Sequence, residues 1–200
     1  VFTAGNDLSD FQNAPKERGA DDDVPVLRFL RTIAPFPKPL VASVCGPAVG
    51  VGVTMLLHCD LVYAGDNAAF SLPFVNLGLC PEAASSLLLP QLLGYRRAAE
   101  ALLLGEPFSA EAALEMGLVN KVLPPGEANA YAQQIAARLA AKPRSSLTVT
   151  KRLMKQDQEA AVLARMREEG GHFLRMLQEG AAREAFTAFM QKRKPDFSAF

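Results

Sequence analysis

Apolar and polar positions follow two different patterns along the chain. Up to about residue 123, short apolar runs bounded by Pro, Gly, Asp or Asn alternate with stretches of helical period, whereas the remainder is helical. Strands that alternate with helices predict βαβ layering, followed here by a helical extension. We therefore predict an α/β core over residues 1–141 and a C-terminal helical region over residues 142–200.

Individual elements follow from the same pattern, with ends predicted where Pro or Gly interrupts an apolar period. Residues 12–23 combine Pro, Gly and charged residues without an apolar period, which predicts a loop. We predict a short helix that starts within 8–11, helices over 24–34, 81–93, 95–104, 127–141, 145–178 (with a break near Gly170-Gly171) and 181–193, a short helix capped by Ser109 and ended by Gly117, strands over 39–45, 61–64 and 118–123, and an extended segment over 68–80.

The stretch over residues 38–60, KPLVASVCGPAVGVGVTMLLHCD, organises the rest of the chain. Its buried strand leads into a turn that contains Gly50 and Gly52, and the pattern becomes helical over residues 53–58. A turn of this kind leaves backbone N–H groups at the start of the helix without intrahelical partners, and such groups can bind negative charge. The glycines are also compatible with a tight turn that serves packing alone. A second candidate donor loop over residues 2–7, FTAGND, favours the anion site.

Composition limits the classes of function. The net charge is zero, with 21 basic and 21 acidic residues, so nucleic acid and anionic membrane surfaces are not indicated as partners. No apolar run approaches the roughly 20 residues that span a bilayer. Three cysteines in apolar surroundings, without a pairing pattern or metal-ligand spacing, predict a reducing, cytoplasmic location and no metal site. Because the chain opens without Met directly on an apolar strand, we expect an N-terminal portion to be absent from this sequence.

Few residues near the glycine turn can act as a base. Thr54 cannot, His58 is typical of a core histidine, and His172 lies in the helical extension. Glu82 follows Cys80-Pro81 and precedes small residues. In the first turn of a helix it would only complement the helix dipole, whereas in an apolar pocket its pKa would rise and it could exchange protons near neutral pH.

Several segments together resemble one family. They are FTAGNDL, KPLVASVCGPAVGVGVTMLLHCDLVYAGDNAAFSLPFVNLGLCPEAASS, GEPFSAEAALEMGLVNKV and the tail EAFTAFMQKRKPDF. The chain resembles the crotonase, or enoyl-CoA hydratase/isomerase, superfamily, and most of all its peroxisomal-type Δ3,Δ2-enoyl-CoA isomerases. The resemblance implies a spiral of ββα turns, a C-terminal helical region that makes trimer contacts, and assembly as a homotrimer or hexamer. It also implies an acyl-CoA thioester substrate, with coenzyme A as part of that substrate and no separate cofactor.

The resemblance assigns the thioester carbonyl to two backbone N–H donors, Ala4 and Val51, which form an oxyanion hole. It assigns catalysis to Glu82, which matches the single glutamate of the isomerases. The two glutamates with which hydratases hold water correspond here to Thr54 and Phe74, and neither can position water as a base. One carboxylate is sufficient for isomerisation, because it can remove a proton from C2 and return it to C4.

Other roles carried over from the family have plain alternatives in core packing or in solvated helix ends. The predicted acyl pocket is lined by Leu27, Leu30, Phe74, Leu77 and Leu79. Asp7 and Gly50 are predicted to contact substrate, and Lys192 and Lys194 to meet the phosphates of coenzyme A.

The sequence therefore favours an enzyme that moves a double bond of an enoyl-CoA from Δ3 to Δ2. The alternatives are another crotonase-fold acyl-CoA isomerase or hydratase, and a non-catalytic scaffold that binds acyl-CoA. A dinucleotide-binding turn is disfavoured, because Gly46, Gly50 and Gly52 have the wrong spacing for that motif.

Overall fold

The computed structural model describes residues 1–6 and 25–200. The predicted helix start within 8–11, the predicted loop over 12–23 and the predicted substrate contact Asp7 lie outside these residues. In chain order the elements are α1 (Pro25–Ile33), β1 (Val41–Val44), β2 (Pro47–Val49), α2 (Val51–Thr54), a 3₁₀ turn (Met55–His58), β3 (Leu61–Gly65), β4 (Ala69–Ser71), a 3₁₀ turn (Val75–Leu77), α3 (Ser85–Leu93), α4 (Tyr95–Leu104), β5 (Phe108–Ser109), α5 (Ala110–Glu115), β6 (Lys121–Leu123), α6 (Pro125–Ala140), α7 (Arg144–Met176) and α8 (Gly180–Met190).

The described strands form two three-stranded sheets, and the first four strands alternate between them. Strands β1, β3 and β6 pair in parallel, with Val41 opposite Leu61 and Tyr63 opposite Lys121. In the other sheet β2 is parallel to β4, and β4 is antiparallel to β5. The chain therefore winds as a coil in which two strands and then helix recur, since β1-β2-α2 is followed by β3-β4-α3. This arrangement confirms the predicted α/β fold class.

The main hydrophobic core lies where the sheets meet the surrounding helices. The side chains of Val44, Phe70 and Leu72 are fully buried in it. Phe70 stacks on Phe108 of the neighbouring strand, with ring centroids 5.6 Å apart. A second, smaller cluster lies between α1 and α7, and Leu30 is at its centre. That cluster surrounds the candidate site.

Most predicted elements are confirmed, and the helix ends at Pro and Gly are the most accurate. Helix α4 spans the predicted residues, and Gly105 after it is left-handed at φ 64°. Ser109 caps α5, with its Oγ accepting a hydrogen bond from the Ala112 N–H. Gly and Pro could be used in this way because Gly permits a left-handed residue after a helix and Pro fixes φ, both irrespective of tertiary contacts.

Three predicted boundaries are wrong. Helix α3 begins at Ser85 and not at Pro81, because Ala83 and Ala84 have positive φ and cannot belong to a right-handed helix. Helix α7 continues through Gly170-Gly171 without the predicted break, because Met166 and Phe173 on either side of the pair are both buried. The strand predicted over residues 118–123 corresponds to β6, which is shorter and begins only at Lys121.

The C-terminal helices bury only part of their apolar residues. Phe173, Leu177 and Phe186 are buried in the chain's own core. Large apolar side chains remain exposed on the same two helices, namely Val149, Leu153, Met154, Phe189 and Met190. Uncovered apolar surface is typical of subunit contacts, so the predicted trimer or hexamer stays a prediction with this surface in its favour. None of the helices in the described part of the chain is both long and apolar enough to cross a bilayer.

Gly78 provides a test of how tightly α8 packs on the coil. Its φ is +68°, and a Cβ there would lie 2.8 Å from the backbone of Ala181 and Ala182. We expect Gly78→Ala to lower the free energy of unfolding by more than about 2 kcal/mol, because left-handed strain adds to a backbone collision. The measurement is urea denaturation followed by circular dichroism.

Gly117→Ala is the matched control. Its φ is +83°, but a Cβ there would meet nothing within 4 Å. The control carries backbone strain alone and should cost about 1–2 kcal/mol. Equal losses in the two variants would contradict the inferred contact between Gly78 and α8.

Candidate active site

Two loops with unpaired N–H groups lie against each other at one edge of the coil. Thr3 forms a parallel bridge with Ala48, and its carbonyl accepts the Val49 N–H at 3.0 Å. A Cβ at Gly52 would collide with Thr3 Cγ2, and one at Gly5 would lie 3.2 Å from Val49 O. The loops can approach so closely only because both of those positions are glycine.

The N–H groups of Ala4 and Val51 have no hydrogen-bond acceptor among the described residues. Val51 is the first residue of α2, and the N–H groups in the first turn of a helix lack intrahelical acceptors. Gly50 before it adopts φ 55° and ψ −114°, a conformation that a side chain would disfavour. This turn aims the Val51 N–H away from the helix instead of into it.

Glu82 is buried and contacts Thr54, which lies one helical turn after Val51. Only 4% of its surface is exposed, and its Oε1 accepts a hydrogen bond from Thr54 Oγ1 at 3.2 Å. Thr54 follows Val51 by three residues in α2, which corresponds to a rise of about 4.5 Å along the axis. Thr54, which the sequence excluded as a base, thus becomes the residue that orients the carboxyl group.

Burial raises the pKa of Glu82 to about 7. Loss of hydration disfavours the carboxylate and is the largest cause. The hydrogen bond from Thr54 opposes the rise, and the nearby charge of Glu169 adds to it. A carboxyl group with such a pKa can both accept and release a proton near neutral pH.

Glu82 stands at the start of a tight turn. Its carbonyl accepts hydrogen bonds from the Ser85 N–H at 3.0 Å and from Ser85 Oγ at 2.6 Å. Ala83 and Ala84 in the middle of the turn have φ values of 62° and 57°. Positive φ at both central residues is the type I′ pattern, in which Gly and Asn are usual. Two consecutive alanines in that conformation carry backbone strain that surrounding contacts must offset.

His58 provides one of those contacts. Its Nε2 lies 2.9 Å from the carbonyl oxygen of Ala83, which can only accept, so Nε2 carries the proton. Burial lowers the pKa of His58 to about 4, and the ring is therefore neutral. His58 follows Thr54 by four residues, so both reach the Glu82 turn from the same face of one helical segment. The expectation that His58 is a core histidine is consistent with this position.

Glu169 of α7 is the residue that sequence reasoning missed. It is 4% exposed, and its carboxylate accepts the N–H groups of Ala84 at 2.6 Å and Ser86 at 2.9 Å. Local sequence contains no signal for it, because 87 positions separate Glu169 from Glu82 and it follows another glutamate on a polar helix. Only the fold brings it to the turn.

An apolar pocket adjoins the turn. Leu30 is fully buried against Ala83 and Ala84, and Val51 packs on the same cluster. A cavity of about 350 Å³ continues from this cluster between α7 and residues 34–37, which follow α1. The cluster and the cavity share Ala34, Leu88, Val162 and Leu163. Lys155, which lies on the cavity wall, has a pKa lowered chiefly by burial.

The other predicted site residues occupy varied positions. Leu27 is half-buried on α1. Phe74 is buried in the main core 4.0 Å from the position of a Cβ on Gly50, with its ring edge-to-face on Phe173, and Leu77 and Leu79 belong to the same core. Lys192 and Lys194 are exposed beyond α8. None of these six residues lines the cavity.

The described part of the chain contains no group of three or more His, Cys, Asp or Glu residues that could hold a metal ion. His172 is exposed and contacts Arg175. The three cysteines are free and half-buried.

Comparison with known proteins agrees with this geometry. Residues 1–199 match the enoyl-CoA hydratase/isomerase family model. A rat enoyl-CoA delta isomerase 2 is 40% identical over 174 residues, which cover 84% of this chain and 44% of the rat protein. An Escherichia coli (strain K12) 2,3-dehydroadipyl-CoA hydratase is 36% identical over 196 residues, 98% of this chain and 76% of that protein. The chain thus spans less than half the length of the rat isomerase and about three quarters of the bacterial hydratase.

Solved structures give the same picture. An enoyl-CoA hydratase/isomerase from Pseudoalteromonas atlantica T6c superposes with a TM-score of 0.91 at 42% identity, over 98% of this chain and 77% of that one. The structure of Pseudomonas aeruginosa OdaA matches with a TM-score of 0.89 at 45% identity, over 94% and 75% of the two chains.

The raised pKa of Glu82 should be visible in stability. Because the folded state holds this proton up to about pH 7 and the unfolded chain only to about 4.5, wild-type stability should fall as the pH rises between these values. Glu82→Gln removes this dependence. We expect the variant to gain about 2–3 kcal/mol relative to wild type between pH 5 and pH 8, from 1.36 kcal/mol for each pH unit.

Urea denaturation of both proteins at the two pH values measures this difference. Contributions from titrating groups that do not interact with Glu82 cancel when the variant is compared with wild type at each pH. A gain that is the same at pH 5 and pH 8 would show that the pKa of Glu82 is not raised.

Proposed function

The chain belongs to the enoyl-CoA hydratase/isomerase family, and on that premise we propose that it moves the double bond of an enoyl-CoA from Δ3 to Δ2. The observation that supports this proposal most is the buried carboxyl group of Glu82, which has a pKa near neutrality. It accepts a hydrogen bond from Thr54, one helical turn after the Val51 N–H, which has no acceptor among the described residues. A carboxyl group and an N–H donor in this arrangement can transfer a proton beside a carbonyl group and stabilise the negative charge that its oxygen gains.

The proposed reaction begins with the thioester oxygen against the N–H groups of Ala4 and Val51. Glu82 removes a proton from C2, and the electrons pass to the carbonyl oxygen to give a dienolate. The same carboxylic acid then returns the proton to C4, which leaves the double bond between C2 and C3. The donors bind the charged oxygen more strongly than the neutral carbonyl, so they lower the barrier instead of only tightening binding. Removal of one such donor costs about 2.7–4 kcal/mol in a comparable enzyme.

Water addition is less well supported by the side chains. Activation of water calls for groups that hold and deprotonate it, and the family places them where this chain has Thr54 and Phe74. The Thr54 hydroxyl donates to Glu82, and the Phe74 ring packs on Phe173 in the core. A hydratase in this fold would have to use Glu82 alone.

The named relatives include both reaction types, so their names do not decide between them. They include a rat enoyl-CoA delta isomerase and a bacterial hydratase, and also an Escherichia coli 1,2-epoxyphenylacetyl-CoA isomerase at 33% identity. Two alternatives therefore remain. The protein could be another acyl-CoA isomerase or hydratase, or a scaffold that binds acyl-CoA without turnover.

The remaining parts of the proposal concern substrate and assembly. The acyl chain would run along Leu27 and Leu30 toward the cavity beside α7, and Lys192 and Lys194 would meet the phosphates of coenzyme A. Exposed apolar side chains on α7 and α8 would be covered in a homotrimer or hexamer. We propose a cytoplasmic location, in keeping with the three free cysteines.

Glu82→Gln tests the proposed base. We expect the variant to bind an unreactive acyl-CoA with an unchanged Kd, because the substituted side chain keeps its shape. Conversion of 3-enoyl-CoA to 2-enoyl-CoA should fall at least about 10²-fold, because general base catalysis contributes that much or more. The assay follows the 2-enoyl thioester by its ultraviolet absorbance, and deuterated water shows whether the shuttled proton exchanges.

The same assay separates the alternatives. Wild type that binds acyl-CoA without turnover would identify a scaffold. A 3-hydroxyacyl product from a 2-enoyl-CoA at a rate comparable to isomerisation would identify a hydratase. Full isomerase activity in Glu82→Gln would exclude Glu82 as the base.

Val51→Pro tests the oxyanion donor without a change in charge. Proline is tolerated at the first position of a helix, and it removes only the N–H group in question. We expect kcat to fall about 10²–10³-fold. Val51→Ala keeps the N–H and should remain within a few-fold of wild type in the same assay. Equal losses in the two variants would show that the side chain matters at this position and the amide does not.

A further inference from the structure

The turn that follows Glu82 is held from three directions. His58 donates to the Ala83 carbonyl, Ser85 donates to the Glu82 carbonyl, and Glu169 accepts from the far side of the turn. The first two partners are neighbours in sequence or belong to the helical segment beside the site. Of these three partners, only Glu169 comes from the C-terminal helical region, because it lies in the second half of the long helix α7.

Glu169 satisfies three donors with two oxygen atoms. Its Oε2 accepts the Ala84 N–H at 2.6 Å, whereas its Oε1 accepts the Ser86 N–H at 2.9 Å and Ser86 Oγ at 2.6 Å. Arg165, one turn earlier on α7, donates to Ser86 Oγ at 3.0 Å and so places a positive charge behind the hydroxyl. Ser86 Oγ therefore has its proton directed at the carboxylate.

An ionised carboxylate can make all three contacts, whereas the amide side chain of glutamine cannot. A carboxylate offers acceptor sites on both oxygens, whereas a glutamine would present an NH₂ group to at least one of these donors. Burial raises the pKa of Glu169, and the hydrogen bonds from Ser86 and Ala84, together with the charge of Arg165, oppose that rise. Donors of this kind bind the charged form and are stronger than neutral hydrogen bonds.

The position of these contacts along the chain gives them a bearing on catalysis. Ala84 is a left-handed residue two positions after Glu82, and its amide can point at α7 only while the turn keeps this conformation. Without the carboxylate, the alanines would relax toward negative φ, as L-residues prefer. The peptide planes of the turn would then rotate, and the Glu82 side chain would leave Thr54.

We propose that Glu169 is a positioning residue for Glu82: its carboxylate holds the backbone of the turn from α7 and so keeps the catalytic carboxyl group against Thr54, one helical turn after Val51. This inference rests on the proposed function, because it assigns the role of base to Glu82. Glu169 itself faces backbone and Ser86, so it acts through the turn and does not touch substrate.

Glu169→Gln is the decisive variant, assayed as the whole chain with a 3-enoyl-CoA. We expect kcat to fall about 10–100-fold with KM within 3-fold of wild type, because misplacement of a reacting group costs rate more than binding. The acidic limb of the pH profile of kcat should move to lower pH by about 0.5 unit or more, because a negative charge near Glu82 is removed.

The shift in the pH profile can be assigned to Glu82 only if neighbouring side chains keep their charge over the same pH range. In the described part of the chain, the titratable or charged side chains that act on the two glutamates or on their neighbours include His58, Cys80, Lys155, Arg165 and Arg175. Burial lowers the pKa of His58 to about 4 and raises that of Cys80 to about 11, so neither changes charge between pH 5 and pH 9. Arginine stays protonated throughout that range.

Glu168→Gln is the matched control. It is the adjacent residue of α7, and its side chain is 62% exposed in an ion pair with Arg165. The control should leave kcat, KM and the pH profile unchanged. If Glu169→Gln also leaves kcat and the profile unchanged, the proposal is overturned. It is equally overturned if activity falls only in proportion to the unfolded fraction measured by circular dichroism.

Ser86→Ala keeps the inference testable if Glu169→Gln does not fold. It removes one of the three donors and leaves the carboxylate in place, so kcat should fall several-fold, and an unchanged kcat would contradict the role of the contact. Carbon-13 NMR titration of the Glu82 carboxyl group, assigned with Glu82→Gln, needs no turnover. A wild type without isomerase activity would contradict the proposed function alone, whereas an active wild type with an unchanged kcat in both Glu169→Gln and Ser86→Ala would contradict the positioning role alone.

Discussion

A carboxyl group that is moved from water into an apolar site must recover hydrogen bonds or hold its proton, and Glu82 does part of each. Thr54 supplies one donor to the carboxyl, which is too little to replace a hydration shell, so the pKa rises to about 7. A second strong donor would have brought the pKa back toward its ordinary value. The scarcity of partners around Glu82 is therefore the property on which its proposed chemistry depends.

The backbone around Glu82 is arranged in the opposite way. The carbonyls of Glu82 and Ala83 and the amide of Ala84 all have partners, although the turn that carries them is strained at both alanines. Each left-handed alanine costs about 1–2 kcal/mol, and hydrogen bonds to charged groups contribute about 1.5–3 kcal/mol each. The site thus combines a well-held backbone with a poorly solvated side chain.

The arrangement of the strands in two sheets explains why segments far apart in sequence meet at the candidate site. The first four strands alternate between the two sheets, so the ends of β2 and β4 and the N-terminal bridge at Thr3 come to the same edge. The glycines at residues 5 and 52 allow the N-terminal segment to touch the end of β2 and the start of α2. Helix α7 then crosses the far side of the Glu82 turn. Because α7 continues through Gly170-Gly171 without a break, it fixes the position of Glu169 relative to that turn. A break at that pair would have displaced Phe173 from its place against Phe74.

The sequence by itself determined the fold class and most helix ends, because apolar period, Pro and Gly act through local backbone preference. Gly105 and the Ser109 cap are examples of such local signals. It also singled out Glu82 and the loops of Ala4 and Val51, through the resemblance of their motifs. Their assigned roles stay predictions. Only the tertiary structure decided that Glu82 lies on a turn and not in a helix, that Thr54 is its partner, and that Glu169 holds its backbone. The physical reason is that left-handed alanines and a buried glutamate are disfavoured locally. They persist only because contacts from residues far away in sequence offset their cost.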